Sequence, residues 1–194
     1  MKTLRLSAIL VFVALCAGLL TGCGSAPRAY LPRYKSGNEM VRPQNYQEWI
    51  YLTSGLHMGG ESSSEGTFTN IYVTPAAYYR FLASGRWPEN TVFIEEKRNS
   101  SSRTNKADHW QTDLVRFNAQ VKDSSRYPEK WAFFSFGYSQ ETAKPNARTR
   151  CFECHFERGA VETTFVQLFP TLRAAGKKFG TYLPDLDGPY AAQY

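Results

Sequence analysis

The sequence predicts an α+β fold, mainly an antiparallel β-sheet with a few flanking helices, formed as a single domain. Runs of β-branched and aromatic residues bounded by polar turns recur at 67–73, 91–98, 112–121 and 131–138. Other segments show helical spacing with proline near the start and glycine near the end. No internal repeat is present, so one sheet with separate helices accounts for the pattern.

In chain order, Lys2 and Arg5 precede an apolar run from Leu6 to Leu20, the arrangement of a secretion signal over residues 1–22. The run ends in Leu20-Thr21-Gly22-Cys23, which marks Cys23 as a lipidated mature N-terminus on the periplasmic side of a bacterial membrane. Removing the signal leaves 172 residues with 21 basic against 17 acidic side chains, enough for one domain. That small, dispersed charge contains no basic block of the kind nucleic-acid binding requires.

Residues 23–42, rich in Ser, Pro, Gly and Arg, read as a mobile tether ahead of a domain spanning 43–194. Pro43 opens an expected first helix carrying Tyr46, Trp49, Ile50 and Leu52. Gly55 to Gly66 reads as a loop, and His57 and Met58 lie in it. Thr67–Val73 alternates as a strand, and Thr74 and Pro75 start a helix that ends near Gly85 and buries Tyr78, Phe81 and Leu82. Strands follow at Thr91–Arg98, Thr112–Val121 and Trp131–Tyr138, with polar connections at Asn99–Asp108 and Glu141–Arg150. A last helix is expected from Val161 to Phe169, interrupted at Pro170, before Gly176 ends the segment.

Of four cysteines, Cys16 falls in the signal and Cys23 at the lipid site, leaving Cys151 and Cys154. Such a pair serves as a redox dithiol, half of a zinc site, or a haem anchor. The sequence Cys151-Phe152-Glu153-Cys154-His155 favours haem c, one per chain. Each thiol can add to one vinyl group of the same macrocycle, and His155 is then aimed at the iron. Haem addition of this kind follows export, so signal and motif agree.

The opposite face of the iron separates an electron carrier from a site open to small molecules. The other mature candidates for a second ligand are His57, His109, Met40 and Met58. His57 and Met58 are the better pair for a movable ligand, although a solvated loop histidine beside a packing methionine is several times more common. The 13 Phe, 12 Tyr and 4 Trp residues suit an aromatic-walled pocket as well as an ordinary core.

The chain resembles the cytochrome P-460 family, which includes the cytochromes c′-beta. The resemblance is carried by Asn45-Tyr46-Gln47-Glu48-Trp49, Ile71-Tyr72-Val73 with Pro75, Gly85 with Thr91-Val92, Val121-Lys122-Asp123-Ser124, Trp131-Ala132-Phe133, the haem motif, Thr164-Phe165-Val166 and Phe169-Pro170-Thr171-Leu172. It implies a mainly antiparallel β protein, usually a homodimer, with a five-coordinate haem. Some members oxidise hydroxylamine and carry an extra lysine–haem link. The c′-beta members lack the link and bind nitric oxide.

By that resemblance, Glu95 stands where the crosslinking lysine would be, and a carboxylate cannot form the same bond. Lys97 is on the same strand side about 7 Å further on, a poorer substitute; the plain alternative is a solvated Glu95-Glu96-Lys97-Arg98 cluster on an edge strand. Among Glu141, Glu153, Glu157 and Glu162, Glu157 is the candidate to orient His155 or relay protons, against an ordinary exposed helix-start charge.

The leading expectation is an exported haem c protein that binds or converts nitric oxide or hydroxylamine at an open iron position and exchanges electrons with a redox partner. Its rivals are a hydroxylamine oxidase crosslinked through Lys97, a low-spin electron carrier using His57 or Met58, and a zinc or dithiol protein.

Overall fold

The structure, a computed structural model, describes residues 30–56, 66–102, 108–147 and 150–186. The signal segment, Cys23, His57 and Met58 lie outside the described residues.

Five strands form an antiparallel meander in chain order: β2 (Ile50–Leu56), β3 (Thr67–Val73), β4 (Val92–Ser102), β5 (His109–Lys122) and β6 (Trp131–Phe136). A two-stranded ribbon pairs β1 (Met40–Val41) with β7 (Thr142–Ala143). The helices are α1 (Pro75–Ser84), α2 (Arg150–Arg158) and α3 (Arg173–Lys178). An α+β class is therefore observed, with β4 in the centre of the main sheet.

Alternation along the strands divides the core in two. Val73, Phe93 and Trp131 pack on one face with Phe81 of α1, Ala175 of α3 and the segment Ala160–Leu172. Val92, Ile94, Phe117, Val121 and Phe134 pack on the other, under Met40, Tyr46 and Trp49. Cross-strand register aligns Val73, Phe93, Gln120 and Phe133 in one row of the first face. The next row is Ile71, Glu95, Asn118 and Ser135.

Helix α1 starts and stops as its sequence indicates. Pro75 occupies the first turn and Gly85 closes it in a left-handed conformation, its N–H donating to the Phe81 carbonyl at 2.7 Å. Thr74 holds the N-cap position without a side-chain capping bond. Phe81 is buried, whereas Leu82 is exposed.

Three expectations about elements are corrected. The helix expected over 43–52 is a single 3-10 turn, Tyr46–Glu48, after a left-handed Asn45, followed by β2. The apolar spacing at 46, 49, 50 and 52 suits either period, and pairing of Ile50 with Val73 along β3 decides for strand. The helix expected over 161–169 is a tight turn closed by the Val161–Thr164 bridge and a 3-10 turn, Val166–Leu168, with α3 after Pro170. The polar connection at 99–108 is shorter than expected, because β4 runs to Ser102 and β5 begins at His109.

The tether expected to reach Arg42 is tied down over its described part. Val41 N–H donates to the Arg33 carbonyl at 2.7 Å, and Met40, fully buried, pairs with Ala143. Tyr30 packs against Trp49 at a tilt, with ring centroids 5.6 Å apart. Burial of Met40 and the ribbon with β7 give these residues partners that their polar composition does not announce.

Candidate functional site

Residues 150–158, expected only as the end of a polar approach and the start of a motif, form helix α2. On a helix, positions i, i+3 and i+4 share a face, so Cys151, Cys154 and His155 are neighbours there. Cys151 is exposed and Cys154 partly buried, and neither is tied up in a disulfide. Phe152, one residue round the helix, is buried and seats α2 on β6, its ring edge-on to that of Phe133 at 6.4 Å.

His155 is held between two rings, with centroids 4.7 Å from Phe133 and 4.4 Å from Phe165. Its Nδ1 lies 2.9 Å from the carbonyl oxygen of Thr163. A carbonyl only accepts, so Nδ1 carries the proton and Nε2 keeps the lone pair. Burial pushes the imidazole pKa from 6.5 down to about 4, outweighing the bond to Thr163, so the ring is neutral near pH 7.

The turn that supplies this carbonyl has a particular geometry. Glu162 and Thr163 both have positive φ, 46° and 64°, as the two central residues of a type I′ turn do. Neither is the Gly or Asn usual there. The turn is held by Thr164 N–H on the Val161 carbonyl at 2.8 Å, by Trp87 Nε1–H on Thr164 Oγ1 at 2.9 Å, and by an ion pair between Lys122 and Glu162 at 2.5 Å. Gly159 lets α2 end against it: a Cβ there would be 2.6 Å from both the His155 carbonyl oxygen and the Thr163 carbonyl carbon.

Further along the same sheet face stand Glu95 and Lys97. Lys97 is 5% exposed, and its Nζ is 3.9 Å from Glu95 Oε1; Asn118 Nδ2 donates to Glu95 Oε2 at 2.8 Å. Thr69, opposite Lys97 on β3, is buried with its hydroxyl lacking a partner, and so is Asn118 Oδ1. The edge-strand reading of these charges is therefore corrected. β4 is central, and alternation sends Glu95 and Lys97 to the face of Phe93 while Glu96 and Arg98 join the opposite core.

Glu157 is exposed and lies two residues, about 200° of helix, from His155, and the imidazole Nδ1 meets the Thr163 carbonyl. Glu162, another carboxylate near the motif, is the partner of Lys122. Met40 is buried in the core on the far side of the sheet, and His109 begins β5, eleven residues and roughly 35 Å of strand from Gln120. Met40 thus lies on the opposite face from His155, and His109 at the far end of β5 beside Ser100.

The donor chemistry fits a haem. Two thiols and an imidazole with an available Nε2 project from one helix, with aromatic rings at the imidazole and unmatched hydrogen-bonding groups on the adjoining sheet face. Zinc fits worse: among the described residues no three His, Cys, Asp or Glu side chains converge on one point.

A helix presenting this donor set on an antiparallel sheet is the arrangement of a haem-binding cytochrome. The family model for cytochrome P460 matches residues 43–166, and the chain belongs to that family. No curated protein matches it. Thr163, Phe133 and Asn118 were not singled out from sequence as parts of the site. Only the alternation of β5 and β6 could have indicated the last two.

Proposed function

We propose that the protein is an exported, lipid-anchored c-type cytochrome whose iron binds small nitrogen species at an open position. One haem is attached through thioethers at Cys151 and Cys154, with His155 Nε2 as its axial ligand. The observation that carries this reading is the commitment of His155 Nδ1–H to the Thr163 carbonyl, which presents Nε2 as the ligand nitrogen. Among the described residues, the placement of Met40 in the opposite core and of His109 at the far end of β5 supports the open position.

When bound, the haem supplies a redox-active Lewis acid. The chain's residues orient and seclude it. Phe133 and Phe165 fix the imidazole plane and exclude water from it. Glu95, Lys97, Asn118 and Thr69 offer donors and acceptors to a ligand such as hydroxylamine or nitric oxide. Glu95, held by Asn118 and Lys97, is placed to take a proton from a ligand that carries one. Lipidation at Cys23, a periplasmic location, a redox partner and a homodimer belong to the same reading, supported by the signal motif and the family resemblance.

Optical and paramagnetic spectra with and without nitric oxide test it. A high-spin haem whose spectrum shifts on adding nitric oxide is expected, and a low-spin haem indifferent to the gas would refute the open position. A second reading, a crosslinked hydroxylamine oxidase, is favoured by the burial of Lys97 on the His155 side of the sheet. Mass spectrometry of the haem peptide distinguishes it by a third attachment at Lys97.

A further inference from the structure

The Thr163 carbonyl accepts twice. One bond comes from His155 Nδ1–H at 2.9 Å, and the other from Gln120 Nε2–H at 3.3 Å. Gln120 is 8% exposed and sits on β5 in the same cross-strand row as Phe133, the ring against the imidazole. Two residues along, on the same side of β5, Lys122 grips Glu162 at 2.5 Å and the Trp87 carbonyl at 2.7 Å. Strand β5 thus holds the turn from below at two points, one of them the very oxygen that orients His155.

A carbonyl oxygen has two lone pairs, and a donor on one withdraws electron density from the other. The amide of Gln120 therefore weakens the acceptor that faces Nδ1–H. The strength of that bond governs how much negative charge the imidazole carries and hence how strongly it donates to a metal through Nε2. A left-handed Glu162-Thr163 pair fixes the direction of the carbonyl, so the oxygen cannot swing towards His155 to compensate.

We propose that Gln120 is a positioning residue that limits the electron donation of His155 to the haem iron by sharing the Thr163 carbonyl. This rests on His155 being the axial ligand, as proposed above. Gln120 touches neither haem nor ligand in this role and acts only through the shared oxygen.

The test uses the haem-loaded full chain and the variants Gln120→Met and Gln120→Leu, which keep bulk and remove the donor. Two quantities are read on ferrous protein: the iron–histidine stretching frequency by resonance Raman, and the reduction potential. Both variants are expected to raise the frequency and lower the potential together. A potential change with an unmoved frequency would mean altered burial alone and would overturn the proposal, as would no change in either. If one variant fails to fold, the other gives the same reading. Absence of an iron–histidine band in the unsubstituted protein would remove the five-coordinate site itself, and this inference with it. That outcome is distinct from a band that is present but insensitive to position 120.

Discussion

Gly159 and Thr163 approach so closely that a Cβ on the glycine would stand 2.6 Å from the Thr163 carbonyl carbon. The contact is backbone against backbone, so no side chain can rotate away. Gly159→Ala should separate α2 from the turn, lengthen the His155–Thr163 bond and cost about 1–3 kcal/mol of stability. Urea denaturation measures the cost, and the haem absorption spectrum reports the axial bond. An alanine variant with native stability and spectrum would show that the helix end moves freely.

The imidazole of His155 gives the chain a specific pH response before haem is attached. Burial lowers its pKa from 6.5 to about 4, so between those values the unfolded chain binds a proton that the folded one refuses. Stability is therefore full above pH 6.5 and declines as the pH falls towards 4, at up to about 1.4 kcal/mol per pH unit. Denaturation of haem-free protein across this range should show the decline, and His155→Gln should flatten it.

Glu96 is predicted to matter to the fold and not to the iron. It accepts from Tyr46 and, at 2.8 Å and 3.0 Å, from Asn70 and Arg98, all on the sheet face away from His155. Burial would raise its pKa, but the bonds from Arg98, Tyr46 and Asn70 outweigh that and hold it below the ordinary value of 4.5. Its stabilisation is thus present above that value and lost as the pH falls through the lowered pKa. Glu96→Ala should cost about 3 kcal/mol and leave the haem spectrum unchanged.

Lys97 carries the prediction for ligand binding. Replacing it by Met removes a buried ammonium from the His155 side of the sheet while keeping much of its length. Both thioethers should persist, and hydroxylamine affinity should fall about tenfold, the effect of one hydrogen bond to a charged group. Spectral titration gives the affinity, and an unchanged value would place Lys97 away from the ligand.

How much of this was legible in the sequence depended on whether the signal was local. The Cys151–His155 spacing, the Pro75 and Gly85 boundaries and the alternation of β3, β5 and β6 are short-range signals. Tyr46, Trp49, Ile50 and Leu52 fit two periods, and only β3 chose between them. The turn at Glu162-Thr163 gave no sign, because residues that normally avoid positive φ are forced into it by Lys122, Trp87 and the approach of Gly159. Edge or centre for β4 could not be read from its own residues, since that is a property of its neighbours.

Central β4 has an uncommon position in the molecule, for its successive carboxylates Glu95 and Glu96 answer to different masters. From Val92 to Lys97, odd-numbered residues look toward the face that packs on Ala160–Leu172, and even-numbered ones toward the layer formed by the N-terminal segment. Parity along one stretch of chain therefore separates the residues assigned to the proposed ligand face from those that hold the N-terminal layer. Glu95 and Lys97 can thus be replaced without disturbing the contacts Glu96 makes in the opposite layer.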